Sequence, residues 1–209
     1  MTINYKHIPD DIKEKYVYVI EDLTFDMQEL QDLYETIKEY TVDYSSIRGS
    51  AVTGLFSSIK VDDIEGKDYL DYPVIQKLVS SFNPVTKQIG NGNISIVVYQ
   101  PGFNFHPHVD FSRKACIMYP IYPSDGGVPV DYYDMKLVEG LSKEDKAEHD
   151  DEHYLGSFHY STKHPTLMNA VEVHGVRNHS DVRVYLQFSL YDDFDLCIER
   201  SKSGDFLNV

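Results

Sequence analysis

Val182-Arg183-Val184-Tyr185-Leu186-Gln187-Phe188-Ser189-Leu190 alternates apolar and polar side chains without a break. Successive side chains of an extended strand point to opposite faces. Val182, Val184, Leu186, Phe188 and Leu190 therefore form one wholly apolar face, which must pack on a core or a layer of helices. Arg183, Tyr185, Gln187 and Ser189 form the other face. That face meets water in an open sandwich, but it lines a pocket if the strand closes a barrel with a site in its mouth.

The neighbouring sequence favours such an all-β unit. Residues 94–100, after the Gly90-Asn91-Gly92-Asn93 turn, are a strand candidate, as are 114–122, 128–133 and 171–174. Short strands punctuated by Gly, Pro, Asn and Asp indicate an antiparallel sandwich or barrel. The first half is mixed. Residues 16–20 form a short buried strand by their β-branched and aromatic content. Asp26 with Glu29 begins a capping-box-like helix whose apolar face is Leu30, Leu33, Tyr34, Ile37 and Tyr40. Pro73 opens a second helix, with Val74, Ile75, Leu78, Val79 and Phe82 on its apolar face, that stops before Asn83-Pro84. No repeat or linker divides the chain. The expected architecture is mainly β (α+β): residues 1–90 as mixed helical support, 91–192 as the β core, and an insertion near 124–163.

A chain of 209 residues with 42% hydrophobic and 25% charged content supports a sizeable core rather than disorder. Its net charge of −15 repels phosphate backbones, and no basic cluster offers a nucleic-acid groove. Cys116 and Cys197 do not make a disulfide framework. The polar first fifteen residues lack an apolar signal core, and no apolar run is long enough to span a bilayer. A soluble, reducing, cytoplasmic setting is expected, with no nucleic-acid or membrane partner. The oligomeric state is left open.

The chemistry concentrates in His108-Val109-Asp110, followed by His174 and, nine residues later, Arg183. Two imidazoles and one carboxylate are the ligand set of a facial Fe(II) site with open positions, although nickel or zinc can occupy the same donors. Residues two apart in extended chain share a side, so His108 and Asp110 can reach one metal. His106 shares that spacing and is a competing ligand, but only His108 forms the His-x-Asp pair. His149 and His153 are four apart in an acidic run. A zincin helix would need glutamate after the first histidine, where Asp150 stands, so a solvated loop is expected. Neither cysteine has the sequence context of a nucleophile, and no glycine-rich phosphate loop is present.

Tyr99 and Gly102 before the pair, and Val176, Asn178 and Arg183 after His174, complete a pattern. Over residues 94–190 the sequence resembles the 2-oxoglutarate- and Fe(II)-dependent oxygenases, in their prolyl-hydroxylase-like or aspartyl/asparaginyl-hydroxylase-like branches. Val173 departs from the aromatic many relatives carry there, and residues 124–163 match no family motif. The resemblance implies a double-stranded β-helix (jelly-roll) with N-terminal helices packed on one sheet. It implies Fe(II) on His108, Asp110 and His174, and 2-oxoglutarate held through its far carboxylate by Arg183. Tyr99, Tyr119 and Asn178 are further cosubstrate candidates, with Tyr185 behind them. The implied reaction uses dioxygen to hydroxylate an amino-acid side chain in a peptide, or a small molecule, with release of succinate and carbon dioxide. A cupin-like metal enzyme without 2-oxoglutarate and a non-catalytic jelly-roll binding or structural protein are the rival readings.

Overall fold

The computed structural model describes residues 5–43, 52–53, 56–61, 71–83, 94–141, 147–177 and 180–208. In chain order the elements are α1 (Asp10–Lys13), β1 (Val17–Val19), α2 (Met27–Ile37, extended by a 3-10 turn Lys38–Tyr40), β2 (Val42–Asp43), β3 (Val52–Thr53), β4 (Phe56–Lys60) and α3 (Pro73–Ser80). There follow β5 (Ile94–Tyr99), β6 (Asn104–His108), β7 (Ala115–Tyr122), β8 (Val130–Tyr133), β9 (Tyr154–Phe158), β10 (Thr166–Asn169), β11 (His174–Val176), β12 (Arg183–Leu190) and α4 (Phe194–Ser203).

Two antiparallel sheets face each other. The larger has the order β1-β10-β7-β12-β5-β4-β2 and the smaller β3-β6-β11-β8-β9. From β5 to β12 the chain passes back and forth between them, which is the winding of a double-stranded β-helix. The 128–133 candidate is β8, and β9 lies further along the same stretch, so residues 124–163 are not an insertion between barrel strands. They supply two strands of the smaller sheet, β8 pairing with the metal-motif strand β11. Single-sequence patterning missed β9 because Gly156 interrupts its alternation.

The apolar face of β12 packs where expected. Val184, Leu186, Phe188 and Leu190 join a buried cluster with Leu30, Leu33 and Ile37 of α2 and Ile75 and Leu78 of α3. The C-terminal helix α4 adds Phe194, Cys197 and Ile198 to this layer. Asp26 caps α2, its carboxylate accepting from the Gln28 N–H at 2.8 Å. Glu29 does not complete a capping box; it pairs with Lys77 of α3 at 3.1 Å and ties the two helices. Pro73 is the first residue of α3, as its fixed φ favours. Among the described residues no helix is long and apolar enough to cross a membrane.

The expected strand at 171–174 begins only at His174. The Asn169 side chain accepts from the Val171 N–H at 3.3 Å and bends the chain into a turn, a local bond that competes with strand pairing. β11 then runs close to β6. A Cβ added at Gly175 would lie 2.7 Å from the Phe105 carbonyl oxygen and 3.2 Å from the Pro107 nitrogen, both backbone atoms. Gly175→Ala must therefore push the two metal-motif strands apart. It should destabilise the fold by about 1–3 kcal/mol, measured as a lower urea midpoint, and an unchanged midpoint would contradict the close approach.

Candidate metal centre

Pairing of β6 with β11 positions both histidines. His174 sits opposite His108, while Val176 sits opposite Phe105, so β6 takes one more residue than its partner over this stretch. Such a bulge reverses the alternation of side chains beyond it. His108 therefore shares the inner face of Phe105, with ring centroids 3.9 Å apart. His106 turns to the outer face, where Asn104 bonds it at 3.3 Å. The period-two expectation that His106 and His108 share a face fails for this reason, and His106 is not brought to the other two ligands.

One donor atom from each of His108, Asp110 and His174 lies within 4.8 Å of the others. The Nδ1 of His108 bonds the His106 carbonyl at 2.8 Å, and the Nδ1 of His174 bonds the Glu172 carbonyl at 2.9 Å. A carbonyl only accepts, so each Nδ1 carries the proton and each Nε2 keeps its lone pair. This is the second bond by which a ligating imidazole is normally oriented. The Nε2 of His108 is buried with no hydrogen-bond partner among the described residues. Nε2 of His108 lies 3.9 Å from Asp110 Oδ1, and Nε2 of His174 lies 4.0 Å from Asp110 Oδ2. Burial and the neighbouring His174 push His108 down to about 3, and burial likewise lowers His174. Burial works against the Asp110 carboxylate, yet Arg113, His174 and His108 hold it down to about 2. Two neutral imidazoles and one carboxylate meeting at an orphaned nitrogen fit a divalent cation, and the donor set suits Fe(II).

The polar face of β12 points between the sheets. Arg183 is 1% exposed, and its Nε and Nη1 have no hydrogen-bond partner among the described residues. Its guanidinium lies 4.4 Å from the Tyr185 ring centroid and 5.9 Å from those of Tyr99 and Tyr160. Burial lowers its pKa. Contact with aromatic faces contributes up to about 2 kcal/mol when desolvated. Burying a cation costs several times the energy of one such contact, so the site calls for an acid. The hydroxyls of Tyr132 and Tyr185, buried in the same cluster, also have no partner among the described residues.

The interior thus holds a candidate metal-ligand triad and a guanidinium, flanked by phenols, that is unmet among the described residues. No protein-family model matches the sequence, and neither does any curated protein. Solved structures do. A prolyl hydroxylase of Trichoplax adhaerens, in complex with a hypoxia inducible factor peptide fragment, superposes with a TM-score of 0.53 at 13% identity, over 93% of this chain and 89% of that one. The chain has the prolyl-hydroxylase fold. A prolyl-4-hydroxylase of Pseudomonas putida matches at a TM-score of 0.45 and 13% identity, over 88% of this chain and 96% of that one.

Within the prolyl-hydroxylase fold the sequence candidates divide. Tyr99 is the pairing partner of Arg183 and lies in the inner cluster. Tyr119 lies in the other cluster, against Phe25 and Phe188 under the helices. It alternates with inward-facing Cys116 and Met118, so strand parity removes it from the cosubstrate candidates. Asn178 falls outside the described residues. Tyr132, Tyr160 and Arg113 were missed. Tyr132 is opposite His174 only once the β8–β11 register is known. Arg113 donates from Nε to Asp110 Oδ2 at 2.6 Å, a contact no sequence pattern marks.

The acidic run is not simply solvated. His149 bridges the Tyr133 hydroxyl at 2.6 Å and Asn104 Oδ1 at 2.9 Å on the outer face of the smaller sheet. Burial, then the charges of Arg177 and His106, pushes it from 6.5 down to about 4. The unfolded chain therefore binds this proton first, so the stability His149 contributes above pH 6.5 is lost as pH falls towards 4. Replacing it in His149→Gln should flatten the fall of the urea midpoint across that window; a parallel fall in both proteins would show that His149 is not the group.

Proposed function

We propose that this protein is a 2-oxoglutarate- and Fe(II)-dependent dioxygenase that hydroxylates an amino-acid side chain in a peptide, or a small molecule. The observation that carries the reading is Arg183, sealed between the sheets with two guanidinium nitrogens unmatched among the described residues and in the same interior as the His108–Asp110–His174 triad. A cupin-like metal enzyme has no use for that charge. A structural barrel would be more stable with an apolar residue there. The peptide bound by the Trichoplax adhaerens enzyme supports an amino-acid side chain as acceptor.

His108, Asp110 and His174 would hold the metal and leave one face of its coordination sphere open. Bound Fe(II), with 2-oxoglutarate and dioxygen, supplies the oxidising chemistry that hydroxylates a C–H bond and leaves succinate and carbon dioxide. The chain supplies binding and orientation. Arg183 meets the far carboxylate of 2-oxoglutarate with paired N–H donors, a geometry lysine cannot reproduce. Tyr132 and Tyr185 offer hydroxyls beside it. The carbonyls of His106 and Glu172 fix the imidazole tautomers, and the aromatic interior keeps water from the charged pair.

Anaerobic titration of the metal-free protein with Fe(II) and 2-oxoglutarate should produce a visible metal-to-ligand charge-transfer band in wild type and none in His174→Ala. Metal binding without the band would favour the cupin-like enzyme. Absence of metal binding would favour the structural barrel.

Arg183→Met separates the cosubstrate role from a structural one. Two charge-assisted bonds of about 1.5–3 kcal/mol each set the expected rise in 2-oxoglutarate requirement at a hundredfold or more, roughly the factor that 2.7 kcal/mol represents. The ligand-free variant should melt no lower than wild type, because an unpaired buried charge has been removed. A large drop in its melting temperature with an unchanged cosubstrate requirement would make Arg183 a structural residue.

A further inference from the structure

Asp110 has two oxygens, and the structure treats them differently. Oδ2 accepts from the Nε of Arg113 at 2.6 Å and lies 4.0 Å from the Nε2 of His174, while Oδ1 faces the Nε2 of His108 at 3.9 Å. Both partners of this ion pair are nearly inaccessible, with side chains 8% and 11% exposed. Arg113 is anchored from behind: its Nη1 donates to the Ser189 hydroxyl at 3.3 Å, and Gln187 Nε2 donates to the same hydroxyl at 3.5 Å. Ser189 and Gln187 belong to the inward face of the strand that carries Arg183. The loop bearing Asp110 and Arg113 is pinned at both ends, the Asp110 N–H donating to the Ala170 carbonyl at 2.8 Å and the Lys114 N–H to the Leu190 carbonyl at 2.9 Å. Arg113 therefore cannot swing away from the carboxylate without breaking buried bonds.

We propose that Arg113 is a positioning residue that occupies Oδ2 of Asp110 and so presents Oδ1 alone to the metal. This rests on the metal reading above. A free carboxylate can grip a cation with both oxygens, and a second oxygen would fill a position that a chelating cosubstrate needs. The guanidinium prevents this by holding one oxygen with a directed, charge-assisted bond. It also shares the carboxylate's negative charge with the metal. Partners of ligating groups in this position typically govern metal affinity by about 10–100-fold. The Ser189–Gln187 anchor makes the carboxylate's orientation a property of the same strand that carries Arg183.

The test uses the full-length protein stripped of metal, with Fe(II) affinity by competition titration and the visible d–d spectrum of the Co(II)-substituted protein as readouts. Arg113→Ala should weaken Fe(II) binding by about 10–100-fold, because the carboxylate loses the partner that orients it, and shift the Co(II) bands, because its second oxygen is released. Arg113→Lys should restore part of the affinity but not the spectrum, because a point charge cannot reach both Asp110 and Ser189. Ser189→Ala removes only the anchor. It should weaken Fe(II) binding by a smaller factor, and it serves as the measurement if Arg113→Ala does not fold. Folded Arg113→Ala with wild-type Fe(II) affinity and wild-type Co(II) bands would overturn the proposal, as would Ser189→Ala with wild-type values should Arg113→Ala not fold. Wild-type protein that binds no Fe(II), or binds it equally well as His174→Ala, would instead overturn the metal reading itself.

Discussion

Arg183, 1% exposed and with two guanidinium nitrogens that have no hydrogen-bond partner among the described residues, is the constraint around which this interior is organised. Desolvating such a charge costs several kcal/mol even after relaxation, and the aromatic rings of Tyr185, Tyr99 and Tyr160 return only part of that. A fold selected for stability alone would place an apolar residue at position 183. The cost is borne by a large apolar layer elsewhere: the opposite face of the same strand packs against three helices. One strand thus carries a well-packed apolar face on one side and a buried charge on the other. That opposition is the mark of a binding site built into a barrel core.

The second constraint is the bulge between β6 and β11. Without it, His108 would face outward with the polar network of Asn104, His106 and His149, and the triad would not assemble. The bulge needs room, and Gly175 provides it by letting the Phe105 carbonyl approach. The outer network in turn clamps the bulged strand: Tyr133, His149 and Asn104 form a continuous set of bonds from β8 to β6. Asp131 beside them is wholly buried and paired with Arg177 at 3.1 Å. Polar groups on the back of the smaller sheet therefore brace the strands whose front carries the metal ligands.

These two constraints explain which features were legible in the sequence. Strict alternation over 182–190 revealed a strand with a core face and a site face, because period two survives wherever a strand is regular. The capped and proline-started helices were legible because their start signals are local. The candidate triad was legible from residue types, their spacing and the family resemblance that the flanking residues carry. Tyr119 was misplaced because its strand parity relative to Arg183 depends on registers between β7, β12 and β5. His106 was rightly set aside as a ligand, but its turn away from the face of His108 was not legible, because a bulge leaves no local trace in sequence. Arg113 and Tyr132 were invisible since their contacts join residues far apart in sequence. Long-range register is the quantity a single sequence does not carry.

The contrast between the two interior arginines completes the picture. Arg113 is satisfied by the protein itself, through Asp110 and Ser189, whereas Arg183 is not. A satisfied charge fixes geometry, and an unsatisfied one waits for a ligand; both roles sit on or against one strand, at its two ends. The far side of the triad is held from the N-terminal segment. Asn169 donates from its backbone to Tyr16 at 2.8 Å and from its side chain to Lys15 at 2.9 Å, and Lys15 pairs with Glu172 at 3.1 Å. Glu172 is the residue whose carbonyl orients His174. The segment leading into the first strand is thus more than a connection. It holds the turn that leads into His174, so a candidate metal-ligand motif confined in sequence to the second half depends on backbone contacts from residues 15 and 16.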